Sequence, residues 1–367
     1  MALSTEKDLS SSNSNNVQSF PLGDFELQNG DLLRGAWLSY KTWGSPSSPV
    51  VLYPTWFSGA ISDNEWLIGD DKTLNPQKLF VIVPALFGNG QSISPSNSDL
   101  HPFPNVSFYD NVRAQHRLVT EKFGIKHLRA VLGWSMGAAQ SFQWATQFPD
   151  FMDFCVPFCG SARTSPHNQV FLEGVKSALL AAKGTSSSGS SQRKMELSGK
   201  RLASWSEDEK VVGLKAFGRG YAGWGFSQAF YRQELFKKVY KAKDLEEFMV
   251  DFWEKWALSK DPENLLVMLQ TWQAGDVSKQ EPYNGDFEKA LASIKAKMLV
   301  LPSKTDLYFP PEDSEYEVAC MKTGIGELDV YPSIWGHWAG GPPGNLDDVE
   351  WLNNRLEKIF KDAPLRG

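Results

Sequence analysis

The 367 residues, 41% hydrophobic and 22% charged, have ordinary globular composition, with enough apolar side chain for a large core in one domain with an insertion or in two domains. A net charge of -6 with interspersed signs supplies no basic face for a polyanion, so nucleic acid is excluded as an expected partner. No apolar run approaches the length of a membrane span, and membrane insertion is excluded in the same way.

Met1 to Ser19 is rich in Ser and Asn and reads as a disordered tail without a secretory or transit signal. The three cysteines, Cys155, Cys159 and Cys320, form no even framework and no CxxC pair, so the expected setting is reducing and cytoplasmic. Leu32 to Trp43 alternates loosely, as an antiparallel arm with one wet face does. Short, fully apolar runs follow at Val50–Tyr53, Leu79–Val83, Ala130–Leu132 and Phe154–Phe158, the pattern of parallel strands covered on both faces. Helical patterns separate them, at Asn111–Phe123 and at Gly137–Phe148, the second closed by Pro149. An α/β fold results, a mostly parallel sheet with helices on both faces.

The pattern changes after Ser165. Helical periodicity dominates to about Leu291, interrupted by a Gly/Ser-rich loop at Gly184–Ser191, and strand character resumes at Ala296–Pro302. This order predicts a tail at 1–19, a core of 20–165 and 292–367, and a helical cap inserted at 166–291. Within the cap, Gly218 to Gly223 matches GxGxxG, but it follows a helical stretch, Glu207–Phe217, where a nucleotide-binding turn has no strand to build on. The five histidines are too scattered for zinc ligation, and neither metal nor cofactor is expected.

Ser135 stands between Gly133 and Gly137, after the apolar run ending at Leu132 and before a helix. A strand, a turn that needs glycine on both sides of a serine, and a helix make a nucleophile elbow, which lifts a hydroxyl clear of the sheet to where a base can reach it. In this architecture the partners follow in the order Ser, Asp or Glu, His. Asp306 lies just past the strand ending at Pro302. One helix (Glu312–Met321) and one strand (Glu327–Tyr331) later comes His337, so a single α-β step returns the imidazole beside the carboxylate. The oxyanion of acyl transfer needs two preorganised donors. These are expected from the backbone N–H of Met136 and of Trp56, with Thr55 as the close second. Thr55, Phe57, Trp134, Tyr308 and Trp338 adjoin these groups and are the candidate substrate contacts.

These residues resemble the homoserine O-acetyltransferase-like branch of the α/β-hydrolase family. The likeness runs from about Gly23 to Lys361 and rests on Ser58-Gly59, the segment Phe80 to Pro95, Asn111 to Gln115, the elbow with Met136 and Gly137, and Ala162 to Asn168. Asp306 with Phe309-Pro310-Pro311 and Trp335-Gly336-His337 complete it. The resemblance implies a Ser135-Asp306-His337 triad, an acyl-serine intermediate and a cap through which members often pair as homodimers. Two positions depart from the family. Trp338 stands where enzymes that acylate homoserine carry an aspartate for the substrate ammonium, and Pro54-Thr55 replaces a histidine-containing loop. Losing that charge-assisted contact costs about 1.5–3 kcal/mol, so a small neutral or aromatic ester is expected rather than homoserine. Ester hydrolysis is the leading expectation. Acyl transfer to an alcohol, with acetyl-CoA as co-substrate, is the second, and a binding protein that retains the fold without catalysis is the third.

Overall fold

The structure, a computed structural model, describes residues 17–183, 205–339, 341 and 345–361. The Gly/Ser-rich stretch Gly184–Ser191 and residues 1–16 of the tail lie outside them.

Eight strands form one sheet in the order β1-β2-β4-β3-β5-β6-β7-β8. They are β1 (Gln18–Glu26), β2 (Leu32–Trp43), β3 (Val50–Leu52), β4 (Phe80–Pro84), β5 (Leu128–Trp134), β6 (Met152–Phe158), β7 (Lys297–Val300) and β8 (Gly326–Leu328). β1 and β2 pair antiparallel, β2 runs antiparallel to β4, and the rest are parallel. The predicted tail therefore ends too late: Gln18 and Ser19 pair with Tyr40 and Ser39. Their polar side chains are exposed on an edge strand, which is why composition alone assigned them to the tail.

The central strands are buried throughout, and their side chains divide between two cores by the two-residue alternation of a strand. Val51, Val81, Ala130, Leu132 and Val156 face one core. Leu52, Phe80, Ile82, Val131 and Cys155 face the other, against α1 (Phe108–Arg117) and α2 (Met136–Gln147). The first core runs without a break into the cap, where Phe217, Tyr221, Phe226 and Trp253 belong to the same cluster. Cap and sheet are thus one hydrophobic body.

The cap begins with α3 (Pro166–Ala181), started by Ser165, whose hydroxyl accepts from Asn168 N–H, and by Pro166 in the first turn. The long helix Glu207–Gly225 starts with a capping box made by Ser206 and Glu209, and Pro262–Gln273 is capped by Asp261. The GxGxxG stretch lies inside Glu207–Gly225, as a helix rather than a phosphate loop. At its neck the insertion is pinned by Thr164 N–H to Gly275 O and by Val277 N–H to Ala162 O. Beyond the neck, Tyr283 donates to Thr146 O at 2.7 Å, and Phe287, Ala290 and Leu291 pack in the second core. The cap therefore closes near Gly275, not at Leu291. Helical periodicity gave the later boundary because it cannot tell which layer a helix joins.

Candidate active site

Ser135 has φ 58° and ψ -123°, in the left-handed half of backbone space, between the last residue of β5 and the first of α2. Three glycines allow this. A Cβ on Gly133 would stand 2.3 Å from the carbonyl of Gly137, one on Gly137 2.9 Å from Pro54 O, and one on Gly160 2.6 Å from Ser135 O. Strain of this kind costs on the order of 1–3 kcal/mol and persists only where the surroundings fix it. Gly160, just beyond β6, was not singled out from the sequence, because its role depends on contact with a turn distant in the chain.

The structure brings the three predicted side chains together. His337 Nε2 lies 2.9 Å from Ser135 Oγ, and His337 Nδ1 lies 2.8 Å from Asp306 Oδ2. All three are buried. The other oxygen of Asp306 accepts from Tyr308 N–H at 2.8 Å and Phe309 N–H at 3.2 Å, so the carboxylate is held from both sides. With Nδ1–H directed at Asp306, the lone pair of Nε2 faces the serine hydroxyl.

His337 sits on a single 3-10 turn, Gly336–Trp338. Gly336 has φ 68°, its N–H donates to Thr305 Oγ1 at 3.0 Å, and a Cβ there would meet Ser227 N at 2.7 Å. The hydroxyl of Ser227, in the cap, donates to Ile334 O. Trp134 stacks on the imidazole with ring centres 4.8 Å apart and donates through Nε1 to His337 O at 3.0 Å. Tyr308 covers another edge of the ring at 4.5 Å.

The loop after β3 is fixed by its polar groups. Thr55 donates its N–H to Pro84 O at 3.1 Å, accepts from Leu86 N–H at Oγ1 and from Gln140 Nε2 at its carbonyl. Gln140 is held in turn by Gln115, which Trp144 also contacts. Thr55 therefore has no N–H to offer a ligand. Among the described residues the N–H groups of Trp56 and Met136 have no partner; Met136 directly follows the serine, and Trp56 lines the same cavity as Ser135.

A cavity of about 300 Å³ opens on Ser135 and His337. Of the candidate contacts, Phe57, Trp134 and Trp338 line it, whereas Thr55 and Tyr308 do not. Both of these are fully buried behind the wall, where burial also holds the Tyr308 phenol well above its usual range. The cap supplies lining that sequence reasoning missed, Tyr221, Tyr240, Phe252 and Trp256, together with Lys260. Helical periodicity marks such side chains as core, and only the packed fold shows them bordering a hole.

Fold and site together define a serine-centred α/β enzyme architecture, and the chain belongs to the alpha/beta hydrolase fold family, whose model matches residues 49–319. A probable esterase of Corynebacterium glutamicum is 35% identical over 86% of this chain and 88% of its own length. An ethyl acetate hydrolase of Pseudomonas veronii is 33% identical over 86% of this chain and 87% of its own. The crystal structure of an acetylester hydrolase from Corynebacterium glutamicum superposes with a TM-score of 0.84 at 32% identity, covering 95% of this chain and 97% of that one. More distant likeness reaches homoserine O-acetyltransferases, the Trichormus variabilis protein being 25% identical over 79% of this chain and 80% of its own. The chain thus falls in the esterase and acyltransferase branch of the family.

Proposed function

We propose that this protein hydrolyses small neutral carboxylic esters through an acyl-serine intermediate. The observation that carries the proposal is the unbroken chain Ser135 Oγ, His337 Nε2, His337 Nδ1, Asp306 Oδ2, with contacts of 2.9 and 2.8 Å. Ser135 Oγ attacks the ester carbonyl carbon while its proton passes to His337 Nε2. Asp306 stabilises the imidazolium without taking its proton. The carbonyl electrons move onto oxygen, which the N–H groups of Met136 and Trp56 receive. Collapse breaks the ester C–O bond, and the alcohol leaves with the proton from Nε2. Water then repeats the sequence on the acyl-serine, releasing acid and free Ser135.

A cavity of about 300 Å³ lies at the small end of ligand sites, and its aromatic walls favour an apolar ester. The names of the ethyl acetate hydrolase and the acetylester hydrolase agree with a short acyl group. Acyl transfer is the second reading, favoured by the likeness to homoserine O-acetyltransferases. It shares the acyl-serine step, with an alcohol in place of water and acetyl-CoA as the acyl donor. Trp338 in the cavity wall argues against homoserine as acceptor. The three cysteines carry no disulfide, as a cytoplasmic enzyme would have them. No helix among the described residues is long and apolar enough to cross a membrane.

The test is hydrolysis of ethyl acetate and p-nitrophenyl acetate by wild type and by Ser135→Ala, beside incubation with acetyl-CoA and a panel of small alcohols. Acid release that Ser135→Ala abolishes supports the hydrolase. CoA release that depends on an alcohol, without ester hydrolysis in buffer, supports transfer instead.

A further inference from the structure

Lys260 lines the cavity that opens on Ser135, within a wall otherwise made largely of aromatic rings. Its ammonium donates to Ser58 O at 3.0 Å. An ammonium has three N–H groups, so two remain for other partners. Among the described residues it forms no ion pair. Asp63, also at the cavity, acts on it as a counter-charge without forming an ion pair, its carboxylate accepting from Ala60 N–H at 2.8 Å as part of a helix cap. Burial pulls the lysine below its usual range, and Asp63 opposes that shift. A lysine kept only to cover apolar surface would direct its head into bulk water. Here the head is half-buried at the rim of a reactive cavity, on the carbonyl of the loop that carries Trp56.

We propose that Lys260 is a specificity-determining residue, and that the preferred substrates are small esters bearing a carboxylate on the part remote from the scissile bond. This rests on the ester-hydrolase reading above, keeps its acyl-serine chemistry, and replaces its neutral substrate class with an anionic one. The ammonium's desolvation is already met in the folded protein, so a carboxylate arriving beside it gains a charge-assisted contact with little reorganisation. An apolar ester of the same length leaves those N–H groups without a protein or ligand partner. A single such contact corresponds to roughly tenfold to hundredfold in binding.

The experiment compares kcat/KM for two series of charged esters with their neutral isosteres. One series is the acetates of ω-hydroxy carboxylic acids of increasing length, against n-alkyl acetates. The other is the monoethyl esters of dicarboxylic acids, against ethyl alkanoates. The readout is the charged-to-neutral ratio within each enzyme, which loss of the Ser58 tether alone does not move. Wild type is expected to prefer the charged member of at least one series by roughly tenfold. Lys260→Met should bring that ratio to one or below, and Lys260→Arg should retain it. A wild-type ratio at or below one in both series, or an unchanged ratio in Lys260→Met, overturns the proposal. Wild type that hydrolyses neutral esters but rejects charged ones refutes the substrate class and leaves the hydrolase standing. Wild type that hydrolyses neither refutes both.

Discussion

Glu317 offers a measurement of how a buried acid couples stability to pH in this fold. It lies on the helix Pro311–Ala319, 3% exposed, and Oε1 accepts from Ala162 N–H at the neck of the cap at 2.6 Å. Oε2 has no partner among the described residues. Burial pushes the carboxyl up to about 8 from an ordinary 4.5, with Asp313 adding to the rise and Arg163 opposing it. Between those values the native state holds a proton that the unfolded chain has released. Stability from this group is therefore complete below the unfolded pKa and is lost as pH climbs through the folded one, at about 1.4 kcal/mol per pH unit. Glu317→Gln keeps the acceptor for Ala162 and cannot ionise. Its stability relative to wild type should therefore rise by roughly 3 kcal/mol between about pH 5.5 and about pH 7.5. Urea unfolding followed by tryptophan fluorescence measures it, with the two curves compared at each pH. A difference that stays constant across that range would refute a protonated Glu317 in the native protein.

Asp306→Asn should reverse the imidazole tautomer while preserving the fold, lowering kcat on p-nitrophenyl acetate by roughly 10⁴-fold with an unchanged circular dichroism spectrum. Gly160→Ala would place a Cβ 2.4 Å from Ala138 Cβ and 2.6 Å from Ser135 O, so about 1–3 kcal/mol of stability should be lost together with activity, read by urea midpoint and ester turnover. Gly336→Ala meets both a φ of 68° and the cap backbone at 2.7 Å. It should reduce kcat far more than Gly324→Ala, a surface turn with φ 78° and open space around it, although both carry a comparable backbone penalty.

The central strands and the three side chains of the candidate triad were legible because each leaves a local mark. Fully apolar runs announce the central strands, glycines bracket Ser135, and Asp306 and His337 follow successive strand ends. Thr55 and Trp56 could not be separated from sequence, since what removes Thr55 as a donor is a hydrogen bond to Pro84 on the adjacent strand. The cavity wall was legible only on the sheet side. Phe57, Trp134 and Trp338 stand next to recognisable motifs, whereas Tyr221, Phe252 and Lys260 belong to cap helices whose periodicity says that a face is buried and not what it is buried against. Tyr308 shows the converse. It adjoins Asp306 in the chain, yet its ring backs the imidazole instead of facing the cavity.

The docking of Gly336 against Gly225, Phe226 and Ser227 binds the turn that carries His337 to the roof above it. Trp338 extends that seam by resting on Phe226 and Trp253. A shift of the roof would therefore be felt at the turn that carries the imidazole, so cap packing and the position of His337 relative to Ser135 are mechanically linked.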